Sequence, residues 1–397
     1  MTQATPEALN ITVTQTVTRT RHIPALDGLR GLAVFIVFMF HYGGGTHSSN
    51  HAVQAFGFIN KGGWSGVTLF FVLSGFLITG ILWDSFADAH WWRKFFARRS
   101  LRIFPLYFLA LVLVVLAAIP GGTMRLVLHH IWIPVFFLEN FPHLAQISDN
   151  LPSPLPIFHL WSIAVEEQFY LVWPFLLVIQ KTRAHAKYLC LFTFFGSCLF
   201  RTVIWSRTGD PVLWEHFILT QAGALALGGW LALSYRGPEW PRIVRLASMF
   251  GVVGLVGFLV SGIFSRDFTT QGHFMMTWGL PCVSVFFASV LALSVEPGLI
   301  AKLVSFKPLR WLGNISFGVY VFHMLLLPVI THVAQAVAGN RSRTAFLVTQ
   351  FVVAGTLSIV AALLSFHLYE KQFLKLKKYF VPRTQARADA SLATAKP

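Results

Sequence analysis

Apolar runs separated by polar breaks recur along the whole chain. They lie near 24–45, 66–83, 103–119, 161–180, 188–205, 216–235, 243–264, 274–294, 312–335 and 344–368. Most approach the roughly 20 residues a helix needs to cross the hydrocarbon core, and 103–119 and 188–205 stand at the short limit. The pattern predicts an all-α polytopic membrane protein of about ten transmembrane helices, with both termini on one side. One further stretch, HHIWIPVFFLENF (129–141), is apolar but short. Counting it as a span would throw the basic KTRAHAK (181–187) to the far side, so it is expected to be re-entrant or interfacial. It sits in a long loop from Pro120 to His159, whose closing prolines in LPSPLPIFHLW interrupt helix.

Three regions follow. Residues 1–23 are polar and Thr-rich, lack the apolar core of a signal peptide and are expected to be disordered. Residues 24–375 form the membrane domain, and 376–397 a basic, then low-complexity, cytoplasmic tail. No internal repeat is evident. Composition agrees: 55% of residues are hydrophobic, 12% are charged and the mean hydropathy is +0.64, where soluble domains carry about 25% charge.

The formal charge of +16 changes the picture only through its distribution. In a soluble chain such an excess suggests nucleic acid. Here RKFFARRSLR (93–102), KTRAHAK, RGPEWPRIVR (236–245), AKLVSFKPLR (301–310) and the tail after Glu370 fall on one side of the predicted spans. Lys61, Arg125, Arg207, Arg266, Arg341 and Arg343 fall on the other, and Arg30 and Arg201 inside spans, which leaves 23 of the 31 Lys and Arg on the first side. That bias marks the cytoplasmic face and predicts a multi-pass protein of the bacterial inner membrane with both termini cytoplasmic. Nucleic acid is not an expected partner. Cys190, Cys198 and Cys282 all fall in spans, with no spacing for metal or a disulfide framework, so no metal site is expected.

The candidate chemistry begins in the first span, LDGLRGLAVFIVFMFHYG (26–43). Arg30 and His41 are 11 residues apart, within roughly 20° of three full turns, so they share one helix face about 16 Å apart along the axis. An Arg at membrane depth costs a few kcal/mol unless it faces a partner or a wet cavity, and His exchanges protons near neutral pH. The alternative is an Arg30 that snorkels to the interface and a His41 that closes a buried hydrogen bond. Glu166 and Glu167 stand near the outer start of the fourth full span, with Tyr170 one turn after Glu166 on its face. A carboxylate there needs a cationic partner across the bundle, and Glu166 is a candidate to polarise His41 or bind hydroxyls. Trp161 is placed to stack on a sugar, although Trp is common at membrane interfaces. Tyr320 and His323 lie in the ninth span and can line a cavity. Ser74 is read as hydrogen-bonding the preceding helical turn or letting helices pack closely with Gly75, and His129, His130, His143 and His185 carry no motif.

Several segments resemble the membrane acyltransferase-3 family in order along the chain. They are the R-x10-H spacing of Arg30 and His41, GGWSGVTLFFVLSGFLITG (62–80), RRSLRIFPLY (98–107), HLWSIAVEEQFYLVWP (159–174), LGNISFGVYVFH (312–323) and YEKQF (369–373). Where the family often has Glu-x-Pro, this chain has Glu370-Lys371-Gln372. The resemblance implies O-acylation of a hydroxyl on a surface polysaccharide or lipid-linked glycan, with cytoplasmic acetyl-CoA (acyl-CoA) as donor substrate and no permanently bound cofactor. Some relatives carry an outer hydrolase-like domain; without one, the membrane domain is expected to complete the transfer alone or with a separate partner. On this reading His41 is the general base or acyl carrier, Arg30 orients the donor and Glu166 and Glu167 assist. Arg98, Arg99 and Arg102 take the phosphates of CoA, and Trp161, Tyr170, Tyr320 and His323 contact substrate. Two competing readings stand: acylation of a small molecule such as a macrolide, and a glycolipid transporter or flippase. A purely structural membrane partner explains the Arg–His stripe poorly.

Overall fold

The computed structural model describes residues 23–44, 51–208, 213, 215–339 and 343–380. The tail expectations for 1–22 and 381–397, and Arg341, lie outside the described residues. Helix α1 (Pro24–Tyr42) opens with Pro24 in its first turn, where the missing N–H has no partner to lose. Helix α2 (His51–Asn60) leads through a 3₁₀ turn (Lys61–Trp64) into α3 (Ser65–Ser85). Helix α4 (Trp91–Ala117) carries the basic run in its first half and the apolar run in its second. The short α5 (Met124–His130), α6 (Trp132–Val135) and α7 (Pro142–Asp149) fold the apolar 129–141 region without a spanning helix. A non-helical stretch, 151–157, then precedes α8 (Trp161–Val178).

The second half holds α9 (Arg183–Thr208), α10 (Ile218–Tyr235), α11 (Trp240–Ser265) and α12 (Leu280–Ser294), the last entered through a π-helical turn at Met275–Gly279. It ends with α13 (Leu299–Val304), α14 (Lys307–Asn314), α15 (Ser316–Leu325), α16 (Leu327–Ala338) and α17 (Arg343–Ser365). A π-helical turn (Phe366–Glu370), α18 (Lys371–Lys375) and a 3₁₀ turn (Leu376–Phe380) follow. No described residue is in a strand. Among the described residues, eight helices are long and apolar enough to cross a membrane, nine if the bent pair α15–α16 is one span. Helix α8 is not among them because Glu166, Glu167 and Gln168 dilute its apolar character, yet it completes the set of helical segments expected from the sequence.

Two departures from the sequence reading have local causes. The single span expected at 312–335 is broken, with α15 and α16 meeting at 69° around Leu326. Pro328 has no N–H for a helical bond to the Met324 carbonyl four residues back, and one residue earlier the carbonyl of His323 accepts from the Tyr42 hydroxyl at 2.5 Å. The boundary at residue 375 falls inside the helical run from α17 to Phe380, whose last turn packs on α4.

Helices α9, α11 and α17 present apolar faces outward, as with Phe192, Phe264 and Val352, while α1, α3 and α10 are largely enclosed. Small residues allow that enclosure. A Cβ on Gly75 of α3 would stand 1.7 Å from the Leu225 carbonyl oxygen of α10, and one on Gly228 of α10 would stand 2.0 Å from that of Val72. Gly28 and Gly31, on either side of Arg30, admit the Val304 and Leu309 carbonyls in the same way. The second intramembrane arginine, Arg201, is 1% exposed and faces backbone rather than an acid. It donates to the carbonyls of Thr220 and Met276 and to Ser197, tying α9 to α10 and to the π-helical turn.

Candidate functional site

Three cavities run in sequence through the enclosed helices. The first, of about 210 Å³, is lined by Arg30, Lys94, Arg98, Arg99, Arg102 and Lys377 together with Asp88 and Trp91. The second, about 100 Å³, shares Arg30, Arg99 and Arg102 with the first and adds Ser74, Ser162, Glu166, Tyr170, Ser316 and Tyr320. The third, about 280 Å³, contains His41, His159, Trp161, Asp149, Glu215 and His216. Val67 and Tyr320 line both the second and the third and so form the partition between them. We call these the basic, middle and histidine chambers.

Helix α1 explains the sequence. Its one polar stripe places Arg30 in the basic and middle chambers and His41 in the histidine chamber. One nitrogen of Arg30 is held by Asp27 at 2.9 Å. Helix α4 supplies Arg98, Arg99 and Arg102 within two turns, and Arg99 also lies over the Tyr170 ring at 5.6 Å. Lys94 is paired with Asp88 at 2.5 Å, whereas Arg98, Arg99, Arg102 and Lys377 make no ion pair among the described residues. Six cations against one lining carboxylate make a pocket for a polyanion.

Glu166 stands on the arginine side of the partition. Ser74 donates to its Oε1 at 2.6 Å and Tyr170 donates to Ser74 at 3.0 Å. Two expectations are thereby corrected. Five residues past Trp161 in α8, Glu166 lies more than one helical turn from the start of the helix, in the middle chamber rather than beside His41. Ser74 hydrogen-bonds across the bundle rather than to its own helix. Glu167 is not among the lining residues, and its Oε1 is buried without a hydrogen-bond partner among the described residues. Tyr170 and Trp161, expected together at substrate, are separated into the middle and histidine chambers.

At the histidine chamber three imidazoles meet: His41 and His159 line it, and His323, buried outside the lining, packs against both. The rings of His41 and His323 are 4.9 Å apart and those of His323 and His159 5.4 Å. Each spends one nitrogen on a carbonyl oxygen: His41 Nδ1 on Val37 at 2.9 Å, His159 Nε2 on Val321 at 3.1 Å and His323 Nδ1 on Tyr320 at 2.5 Å. A carbonyl only accepts, so each of those nitrogens carries the hydrogen and the opposite nitrogen of the neutral ring is left with its lone pair. His159 Nδ1 and His323 Nε2 are buried and unpartnered. Among the described residues no carboxylate hydrogen-bonds any of the three. At the partition the Tyr320 hydroxyl lies 2.5 Å from Ser162 and 2.8 Å from the His159 carbonyl.

His159, Ser162, His216 and Lys377 escaped the sequence reading. His159 and Ser162 flank Trp161 in a motif that was read for its acids. Lys377 arrives only because the segment after the last span folds back on α4.

A helical bundle enclosing a basic pocket, and leading by consecutive cavities to a cluster of imidazoles, defines a membrane-embedded transferase. The chain belongs to the acyltransferase-3 family, whose acyltransferase domain matches residues 23–367. It is 30% identical over 356 residues to the peptidoglycan O-acetyltransferase OatA of Listeria monocytogenes, covering 85% of this chain and 54% of that protein. It is 30% identical over 375 residues to YrhL of Bacillus subtilis, provisionally named a peptidoglycan O-acetyltransferase, covering 88% and 55%. An O-acetyltransferase of Staphylococcus aureus, also provisionally named, is 27% identical over 331 residues, covering 78% and 51%. The chain thus spans about half the length of the curated relatives it matches. No solved structure matches it.

Proposed function

We propose that the protein moves an acetyl group from acetyl-CoA, held at the cytoplasmic face of a bacterial inner membrane, to a hydroxyl of a cell-envelope glycan such as peptidoglycan. One observation carries this reading: the row of chambers from six cations to three histidines. The basic chamber then faces the cytoplasm, in keeping with the charge bias of the loops. Arg98, Arg99, Arg102 and Lys377 bind the phosphates, for which the guanidinium fork is well matched. The acyl-bearing arm passes Arg30 and Glu166 in the middle chamber and brings the thioester to the partition at Tyr320 and Ser162.

There the acceptor oxygen attacks the thioester carbonyl carbon. Its proton goes to Nε2 of His41, the nitrogen left free by the Val37 bond, and the C–S bond breaks. The proton ends on the departing thiolate, giving the O-acetyl ester and CoA. Arg30 is too far along α1, about 16 Å, to serve the same atoms as His41. Its role is donor placement, and hydroxyls at the partition are the donors nearest the developing oxyanion. The Val37 carbonyl, which accepts from Nδ1, holds the ring with Nε2 free, the part a carboxylate plays in a triad.

The test supplies membranes containing wild type or His41→Ala with labelled acetyl-CoA and glycan precursors, at matched protein level. Label on the glycan with wild type alone supports the reading. Equal labelling by both removes His41 from the chemistry.

A further inference from the structure

We infer that the histidine chamber selects an uncharged sugar unit, with Asp149 and Glu215 excluding acceptors that carry a phosphate or carboxylate beside the reacting hydroxyl. The inference rests on the transfer reading above and deepens its acceptor half.

The lining of this chamber contains two carboxylates and no Lys or Arg, the reverse of the basic chamber. His216 Nε2, 3.6 Å from Glu215, can offset at most one of the two. Lys61, the nearby cation from the turn before α3, is held by Asp267 at 3.3 Å and does not line the chamber. An anionic group entering the cavity would therefore meet carboxylates with no Lys or Arg in the lining to offset them, an arrangement that discriminates by repulsion.

The same residues suit a neutral ring. Ionised carboxylates only accept hydrogen bonds, which is what sugar hydroxyls supply. Trp161 is stacked on His216 with ring centres 4.3 Å apart and planes 19° apart, so it is a fixed platform. The Gln221 side chain donates to the Glu215 carbonyl and Asn140 donates to the His216 carbonyl at 3.4 Å, which anchors this segment from α10 and from the turn before α7. Phe40, Trp64 and Phe158 give the apolar faces that the C–H side of a sugar needs. A volume of about 280 Å³ lies at the lower edge of small-molecule sites, enough for one unit with its neighbours outside.

The test measures binding, so it does not depend on turnover. Purified full-length protein in nanodiscs is titrated with the methyl glycoside of N-acetylglucosamine and with the same glycoside oxidised to a carboxylate at C6. Saturation-transfer NMR reads the sugar, and CoA binding is followed on the same preparations. The expected result is binding of the neutral sugar at least about tenfold tighter than its acid. The gap should close to within about threefold in D149N/E215Q, with the neutral sugar still bound. Equal binding of the two sugars to wild type overturns the inference, as does a gap unchanged in the double variant. Absence of sugar binding with CoA binding intact overturns the inference alone, and absence of both overturns the transfer reading as well.

Discussion

The basic and histidine chambers share helix α1 and lie one middle chamber apart, yet they are built for different work. At one end Arg30 joins Arg98, Arg99, Arg102 and two lysines around the basic chamber. At the other His41 joins rings that each give one nitrogen to a carbonyl and keep a lone pair on the other when neutral. Guanidinium groups bind a polyanion but hand on no proton. Neutral imidazoles attract no polyanion but accept a proton when one is released. One helix face can carry both functions because about 16 Å of apolar helix separates them.

The largest effect that sharpens this division is His41→Ala. It is expected to lower acetyl transfer by about 10²–10⁴-fold, the usual value of a general base, while CoA binds as before in a direct titration. Comparable loss of CoA binding would merge the two functions. At the opposite end, Arg99→Ala should weaken CoA binding by about 10–100-fold and flatten its dependence on salt. Each charge-assisted bond contributes about 1.5–3 kcal/mol, and neutral sugar binding should be untouched. Gly75→Val tests the enclosure itself. A side chain where 1.7 Å separates the would-be Cβ from a carbonyl should cost about 1–3 kcal/mol, read as a lower melting temperature in the same detergent.

The smallest effect lies outside both chambers. Glu139, in the segment between α6 and α7, is buried and its carboxyl is pushed up to about 8 by that burial, against the lowering hydrogen bond from Tyr107 at 2.8 Å. The folded protein therefore keeps a proton that the unfolded chain releases above its ordinary value of 4.5. The stability this contributes is complete below 4.5, declines as pH rises and is lost above about 8. Melting curves of wild type should fall by about a few degrees between pH 6 and 9, and Glu139→Gln should remove that share of the slope. An unchanged slope would assign it to other groups.

Much of this was legible in the chain because it is periodic. Apolar runs of spanning length mark the helices, and the helical period alone puts Arg30 and His41 on one face. The basic run at 93–102 declares one end of the molecule. What stayed hidden depends on contacts between distant helices. Ser74 and Glu166 are 92 residues apart in sequence, and nothing in either segment names the other. The histidine cluster needs α1, the turn before α8 and α15 to converge, so His159 looked like a loop residue. The break at Leu326 had a local sign in Pro328, but the apolar run continues across it and masks the bend.

The most direct test of transfer across the membrane uses proteoliposomes in which the basic face of the protein is sealed inside. Labelled acetyl-CoA is loaded in the lumen and a neutral glycan acceptor added only outside. The expected result is label on the external glycan, dependent on His41 and absent when labelled acetyl-CoA is instead supplied only outside. Labelling that requires donor and acceptor on the same side of the bilayer would contradict a reaction carried through the three chambers.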